Sequence, residues 1–434
     1  MAGVPQVLEP RSRVPPSATL AINELSAKLI KEGKKVHKLG LGQSPFPVPP
    51  CMVAALCEHA TEKAYISVQG LEPLRAAVAA SSSKWRKVNV TANDVMIGPG
   101  TKELIFTLQL CYPAELLLPS PSWVSYGPQA GICGRKVTWL PTTAEEGWKL
   151  SPAVLDEHCS KQNTPGAPRL LVINYPCNPS GMTFNKADVE ALAVVCRKHR
   201  ILVLSDEIYC GVTYNGNPVS ISTYYPEGTI VLDGISKWAG AGGWRMGTFI
   251  FAPELNWLLK AMCGVASETF SCVAAPIQYA AIQAYVHRDM PQFLLDQRRV
   301  LVLIAGYFTS TLQKGGIKVV PPAGGFYVLA DFSGLVSWTK NSDEFAQALL
   351  AETGVATLAG THFGRPAEEI TLRCAFVDFD GEAALAALAD IGPPEQDTNP
   401  AVQAAFAEKY CHSVFVAANK MVEFTRTYNG KGRL

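Results

Sequence analysis

Lys237 and Arg245 stand eight residues apart in DGISKWAGAGGWRMG (233–247), a segment made otherwise of small residues, two tryptophans and little else. Lysine is the side chain that condenses with carbonyls to a Schiff base, and it does so as a free amine only where it is partly withdrawn from water. Asp206 closes the apolar run ILVLSD, where a carboxylate could face a protonated ring nitrogen. In IGPGTKELIF (97–106) a glycine turn opens a helix, so Gly100, Thr101 and Lys102 offer free backbone N–H groups and a positive dipole end to an anion. Each feature alone has a plainer reading: Lys237 as a surface lysine in a loop, Asp206 and Glu207 as a helix cap, Trp123 of SPSWVSYG as core. Their common placement along the chain is what the elements must explain.

RLLVINYP (169–176), ILVLSDEIY (201–209) and TIVLDGIS (229–236) are short apolar runs rich in branched residues, and NKADVEALAVVCRKHR between the first two has helical periodicity. Unbroken apolar strands alternating with helices predict a parallel sheet covered on both faces, with ligands beyond the carboxyl ends of its strands. The three runs end in Asn174 and Asn178, Asp206, and Ser236 with Lys237, so three strands deliver polar residues to one sheet edge. The first 45 residues differ: a proline-bearing arm, a helical ATLAINELSAKLIKEGKK, and LGLGQSPFPVPP, whose prolines force an extended or turning path. A helix is predicted near 291–314. KVVPPAGGFYVLADF then reads as a strand pair with a glycine turn, and VATLAG, ITLRCAFV and a short helix complete a smaller α+β unit. After the breaker IGPPEQDTNP, Val402, Phe406, Tyr410, Val414, Ala418 and Met421 or Val422 recur at helical spacing and predict one final amphipathic helix.

Composition narrows the partners. A chain of 434 residues, 48% hydrophobic and 17% charged, can bury a large core. Its 38 basic and 37 acidic residues leave a net charge of +1, which offers no broad electrostatic footprint for nucleic acid or an anionic membrane and points to small-molecule substrates. No stretch has the apolar length of a signal peptide or a membrane span, so a cytoplasmic location is expected. The 12 cysteines stand singly without CxxC pairs, which reads as reduced, mostly buried residues and no bound metal.

Taken together, NYPCNPSG (174–181), SDEIY (205–209) and GISKWAGAGGWRMG (234–247), in that order and at those separations, resemble the pyridoxal-phosphate aminotransferases of fold type I, classes I and II. The resemblance spans roughly residues 12–390. It implies an α/β fold with a large domain, whose mostly parallel sheet is covered by helices on both faces, and a smaller α+β domain built from both chain ends. The expected division is an arm and part of the small domain over 1–45, a large cofactor-binding domain over 46–300, a small domain over 301–390 and a helical extension over 391–434.

Carried over residue by residue, the resemblance makes Lys237 the residue that holds the cofactor as an internal aldimine and then acts as general base and acid. Asp206 would pair with the pyridine nitrogen, while Tyr209 and Asn178 would hydrogen-bond the ring's phenolate oxygen. Trp123 would stack on the ring, and Arg245 would bind the phosphate with Gly100, Thr101, Lys102 and Ser236. Tyr65, in KAYISVQGLEPLR, would reach the phosphate of the neighbouring subunit, implying a homodimer with shared sites. Arg373 in ITLRCAF would clamp the substrate α-carboxylate by a planar fork, with Gly42 and Asn178 adding contacts. Two departures stand out: Gly234 occupies the place where relatives often have a serine, and Gln43, Ser44 and Pro45 replace the acid, proline and acid of the usual GEPDF loop.

PPSATLAI and GTKEL most resemble the aspartate and prephenate aminotransferase branch, in which Ser17, Thr19 and Lys102 would contact a distal carboxylate. A lysine in the first turn of a helix opposes the dipole, so a nearby anion would account for it; a solvated lysine is the plainer reading. The expected reaction is transfer of an amino group from an L-amino acid, aspartate or glutamate, to a 2-oxo acid through pyridoxamine phosphate. The alternatives are an aminotransferase for aromatic or other apolar amino acids, with Trp139, Phe46 or Phe363 lining its pocket, and an eliminating lyase of the same fold. A transcription regulator with an aminotransferase-like sensor would need a DNA-binding segment ahead of the arm.

Overall fold

The computed structural model describes residues 9–161 and 166–428; the first eight residues of the arm and the last six of the extension lie outside the described residues. Helix α1 (Ala18–Lys31) follows the prolines of the arm, and β1 (His37–Lys38) leads into the loop that carries Gly42. The chain then enters a seven-stranded sheet made of β2 (Val95–Gly98), β3 (Glu115–Ser120), β4 (Val137–Pro141), β5 (Arg169–Asn174), β6 (Leu202–Asp206), β7 (Thr229–Gly234) and β8 (Gly247–Ile250). Their order is β2-β8-β7-β6-β5-β3-β4, and all run parallel except β8, which is antiparallel to both neighbours.

The apolar runs become strands because both faces of the sheet are covered. Leu170, Val172, Leu202 and Leu204 join one core cluster and Leu171, Ile173 and Val203 the other, the two-residue alternation of a strand buried on both sides. Register aligns Asn174 with Asp206 and Asp206 with Leu232, so the strand ends lie level at one edge. The antiparallel return of β8 makes residues 235–246 a closed loop over that edge, and Lys237 and Arg245 both belong to it.

Helix α2 (Thr101–Cys111) follows β2, α3 (Tyr126–Ile132) follows β3, and α4 (Lys186–Lys198) packs between β5 and β6 in sequence. The long α5 (Met290–Lys314) leads to a second sheet of β9 (Lys318–Val319), β10 (Tyr327–Asp331), β12 (Leu358–Ala359) and β13 (Thr371–Ala375), antiparallel throughout, with α6 (Ser342–Thr353) beside it. The VATLAG run is divided: β11 (Val355–Ala356) pairs in parallel with β1, and only Leu358–Ala359 joins the second sheet. The smaller unit thus draws strands from both chain ends.

The C-terminal segment corrects the expectation of one helix. It forms α7 (Pro400–Tyr410) and α8 (His412–Thr427), which meet at Cys411, where φ −130° and ψ 40° leave the helical region. Phe406, Val414, Ala418 and Met421 are nevertheless buried as their spacing predicts. Helix α7 packs on α5, and α8 on α5 and α6, with an Arg299–Asp397 ion pair of 2.9 Å at the entrance. Among the described residues no helix is long and apolar enough to cross a membrane.

Candidate active site

Strand β5 ends at Asn174, whose side chain accepts the backbone N–H of Asn178 at 2.7 Å and donates to the Asp206 carbonyl at 3.0 Å, fixing the loop that carries Asn178. Asp206 ends β6 and is buried. Its Oδ2 accepts the Tyr126 hydroxyl at 2.5 Å and its Oδ1 the backbone N–H of Ile208 at 3.2 Å. Burial pushes its carboxyl up to about 6, opposed by those two donors and aided by the nearby Asp233 and Glu207.

Lys237 is half-buried, lines the cavity, and its amine donates to the Gly42 carbonyl at 2.8 Å. Burial pulls the amine down to about 8; Arg373 assists, Asp206 opposes, and Arg245 and Lys102 assist further. A lysine in that range is a neutral nucleophile for a useful fraction of time near neutrality. Tyr209 and Tyr327 share a hydrogen bond of 2.8 Å, and Tyr327 also donates to Gly42 at 3.3 Å.

At the opposite end, Gly100 with φ +86° turns the chain into α2, and a Cβ there would lie 2.2 Å from Nη2 of Arg245. A Cβ on Gly247 would lie 2.4 Å from the Thr101 nitrogen. Glycine at both positions keeps the helix N-terminus and the arginine open to a ligand. Gly234, where a serine was expected from relatives, sits 3.1 Å in projected Cβ distance from both the Gly247 Cα and the Met246 carbonyl, so the returning β8 leaves little room for a side chain.

Arg373 lies mid-strand in β13 and is 1% exposed. It donates to the Gly40 carbonyl and, at 3.4 Å, to Asn178 Oδ1, and its planar group lies over the rings of Tyr327 and Phe363. Its Nε is buried without a partner, and no carboxylate among the described residues forms an ion pair with it. A buried guanidinium left this way is costly unless an anion arrives.

These groups surround one cavity of about 350 Å³. Ser17 and Thr19 of the arm, Gly42, Thr101, Lys102 and Trp123 line it, as do Asn178, Asp206, Tyr209, Ser236, Lys237, Arg245 and Arg373. Of the residues expected at the site, Gly100 stands behind Arg245, and Tyr65 lies elsewhere, 90% exposed. The wall carries four cations, Lys102, Lys237, Arg245 and Arg373, against one carboxylate, Asp206. Burial lowers the Lys102 amine, and Arg245 lowers it further; it lies 5.2 Å from the centroid of the Trp123 ring. The donor set fits pyridoxal phosphate: an amine for its aldehyde, a carboxylate for its ring nitrogen, and an open helix N-terminus with an arginine for its phosphate.

The apolar pocket drawn from Trp139, Phe46 and Phe363 does not form. Trp139 is 41% exposed on the edge strand β4, Phe46 and Phe363 are buried in packing, and none lines the cavity. Two tyrosines escaped the sequence reading. Tyr126 stands three residues after Trp123 in SPSWVSYG, which could have flagged it; Tyr327 in GGFYVLADF reads as an ordinary strand residue until its hydroxyl is seen at Tyr209 and Gly42.

Comparison with known proteins agrees with this geometry. A family model described as aminotransferase class I and II matches residues 34–379. An aspartate aminotransferase of Bacillus sp. (strain YM-2) is 31% identical over 370 residues, which cover 81% of this chain and 90% of that protein. An asparagine–oxo-acid transaminase of Streptococcus mutans is 30% identical over 365 residues, with the same coverage of 81% and 90%. Among solved structures, an aspartate aminotransferase from Thermus thermophilus with maleate superposes with a TM-score of 0.81 at 26% identity, covering 96% of this chain and all 100% of that one.

Proposed function

Because the chain belongs to the class I and II aminotransferases, enzymes that depend on pyridoxal phosphate, we propose that its amino donor is a dicarboxylic amino acid, aspartate or glutamate, and its acceptor a 2-oxo acid. When bound, pyridoxal phosphate supplies the electron sink that makes the donor's α-proton acidic. In this reading Lys237 would hold the cofactor through its amine and would be the base that takes the proton at the substrate α-carbon. Asp206 would pair with the ring nitrogen, Trp123 would stack on the ring, and Asn178 and Tyr209 would hydrogen-bond its oxygen. Arg373 receives the α-carboxylate on the guanidinium edge that folding leaves unpaired.

What supports a second carboxylate is the charge inventory. Lys237 serves covalent attachment, Arg245 the phosphate and Arg373 the α-carboxylate, which leaves Lys102 beside Ser17 and Thr19 with no acid partner on the wall. The Thermus structure of similar fold carries maleate, itself a dicarboxylate. The test is kcat/KM for aspartate, glutamate, alanine and phenylalanine with the wild type and Lys102→Gln. Loss of one charged hydrogen bond should lower the values for the acidic donors about 10–100-fold and leave alanine nearly unchanged. A wild type that prefers phenylalanine would overturn the reading and direct its side chain to the adjoining groove of about 740 Å³, which shares Ser17, Lys102 and Ser125 with the cavity. Ammonia release in place of a matched amino product would support the lyase alternative.

The same reading makes the enzyme a cytoplasmic homodimer with shared sites. Tyr65 carries that part: it is almost wholly exposed and does not line its own chain's cavity, as expected of a residue that serves a neighbour.

A further inference from the structure

We propose that Tyr126 is a positioning residue for the cofactor ring: its hydroxyl holds Asp206 in the orientation and ionisation that keep the ring nitrogen protonated. The inference rests on the reading of Asp206 as that nitrogen's partner.

Tyr126 is 1% exposed, opens α3, and donates to Asp206 Oδ2 at 2.5 Å, the short distance of an O–H···O⁻ bond. The remaining oxygen, Oδ1, is held by the Ile208 backbone N–H. Donors from α3 and from the turn after β6 thus hold both oxygens of a carboxylate that lines the cavity. Burial and the adjoining carboxylate raise the phenol well above its ordinary value, so it remains a proton donor throughout the working range. The choice of a neutral donor is physically telling. A lysine or arginine at this position would neutralise Asp206 and compete with the ring nitrogen for its charge. A phenol stabilises the anion and leaves its net charge available.

The same ring meets Trp123 edge-on, with centroids 5.2 Å apart and planes at 79°. One residue therefore supports both the group expected at the ring's nitrogen and the group expected on its face. Among the described residues the Asp206 carboxylate has no other side-chain donor, and the acids next to it in space, Glu207 and Asp233, are engaged by Arg86 at 2.8 and 3.6 Å. Without Tyr126 the carboxylate becomes more basic, and the proton shared with the ring nitrogen moves toward oxygen.

The experiment uses holoenzyme reconstituted with pyridoxal phosphate labelled with ¹⁵N in the ring. The ¹⁵N shift is compared in the wild type, Tyr126→Phe and Asp206→Asn, with cofactor dissociation constants measured alongside. In the wild type the nitrogen should resonate as protonated, and in Asp206→Asn as neutral. Tyr126→Phe, which retains the aromatic contact with Trp123, should move the shift toward neutral and weaken cofactor binding about tenfold, the worth of one charge-assisted hydrogen bond. A wild-type shift in Tyr126→Phe, with a neutral shift in Asp206→Asn, would overturn the inference alone. A wild-type shift in Asp206→Asn would overturn the reading of Asp206 beneath it. Should Tyr126→Phe fail to fold, the wild-type apoenzyme decides: the hydroxyl proton should give a strongly low-field ¹H signal that is lost as Asp206 protonates below about pH 6, and its absence would overturn the inference.

Discussion

Arg373 and Asp206 are buried at a cost that folding alone does not repay. Arg373 has no ion-pairing acid among the described residues, and the Asp206 carboxyl is pushed from 3.8 to about 6. For an acid whose folded value is raised, stability is complete below the unfolded value of 3.8 and is lost as pH rises through about 6. At pH 7.5 the apoenzyme therefore carries a penalty on the order of 2–3 kcal/mol at this one residue. Asp206→Asn should melt at a higher temperature than wild type in the cofactor-free state at pH 7.5, with the gap closing below about pH 4. Calorimetry across that range checks it, and equal melting points at pH 7.5 would show that the site is not strained. Much of this cavity is legible in the sequence because its residues follow short apolar runs or glycine turns, as Asp206, Lys237 and Gly100 do. Tyr126 and Tyr327 are not, since a tyrosine's spacing does not reveal whether its hydroxyl meets a partner 80 or 118 residues away along the chain.

At the scale of elements, the three strands β5, β6 and β7 appear in the structure close to where their apolar runs place them, because burial on both faces leaves no polar position to confuse the pattern. Strands of two residues carry no such pattern. The split of VATLAG between two sheets depends on β1 arriving from the other end of the chain. The break at Cys411 is equally silent: the apolar period runs through it, and only the packing of α7 on α5 and of α8 on α5 and α6 shows where the axis turns. Those two helices cover apolar surface that would otherwise meet water. Truncation after Gly392 removes Phe406, Val414, Ala418, Met421 and Phe424 from the core and leaves Arg299 without Asp397. Burial of the valine, methionine and phenylalanine side chains among these is worth roughly 1.5–3 kcal/mol each, so the shortened chain should melt far lower or fail to accumulate in soluble form. An unchanged melting curve would mean that the tail is dispensable to the fold.

For the whole molecule, the decisive question is whether each site is completed by a second copy. The proposed dimer predicts about twice the 46.7 kDa chain mass by light scattering. It also predicts an unusual complementation. Lys237→Ala and Tyr65→Phe each damage every site of their own homodimers. When the two are mixed and allowed to exchange subunits, one site of the heterodimer combines the first chain's Tyr65 with the second chain's Lys237 and is intact. Activity and tight cofactor binding should rise above the sum of the separate preparations. No gain on verified exchange would mean that Tyr65 serves its own chain or neither.

Four cations around one carboxylate also give the cofactor-free enzyme's cavity a preference among buffers. Before the cofactor arrives, the multivalent anions of the solution are its closest electrostatic substitutes, and inorganic phosphate resembles the cofactor's own anchor. Apoenzyme kept in phosphate should be the more heat-resistant preparation and the slower to reconstitute, because the ion that steadies the protein occupies the place into which the cofactor must dock.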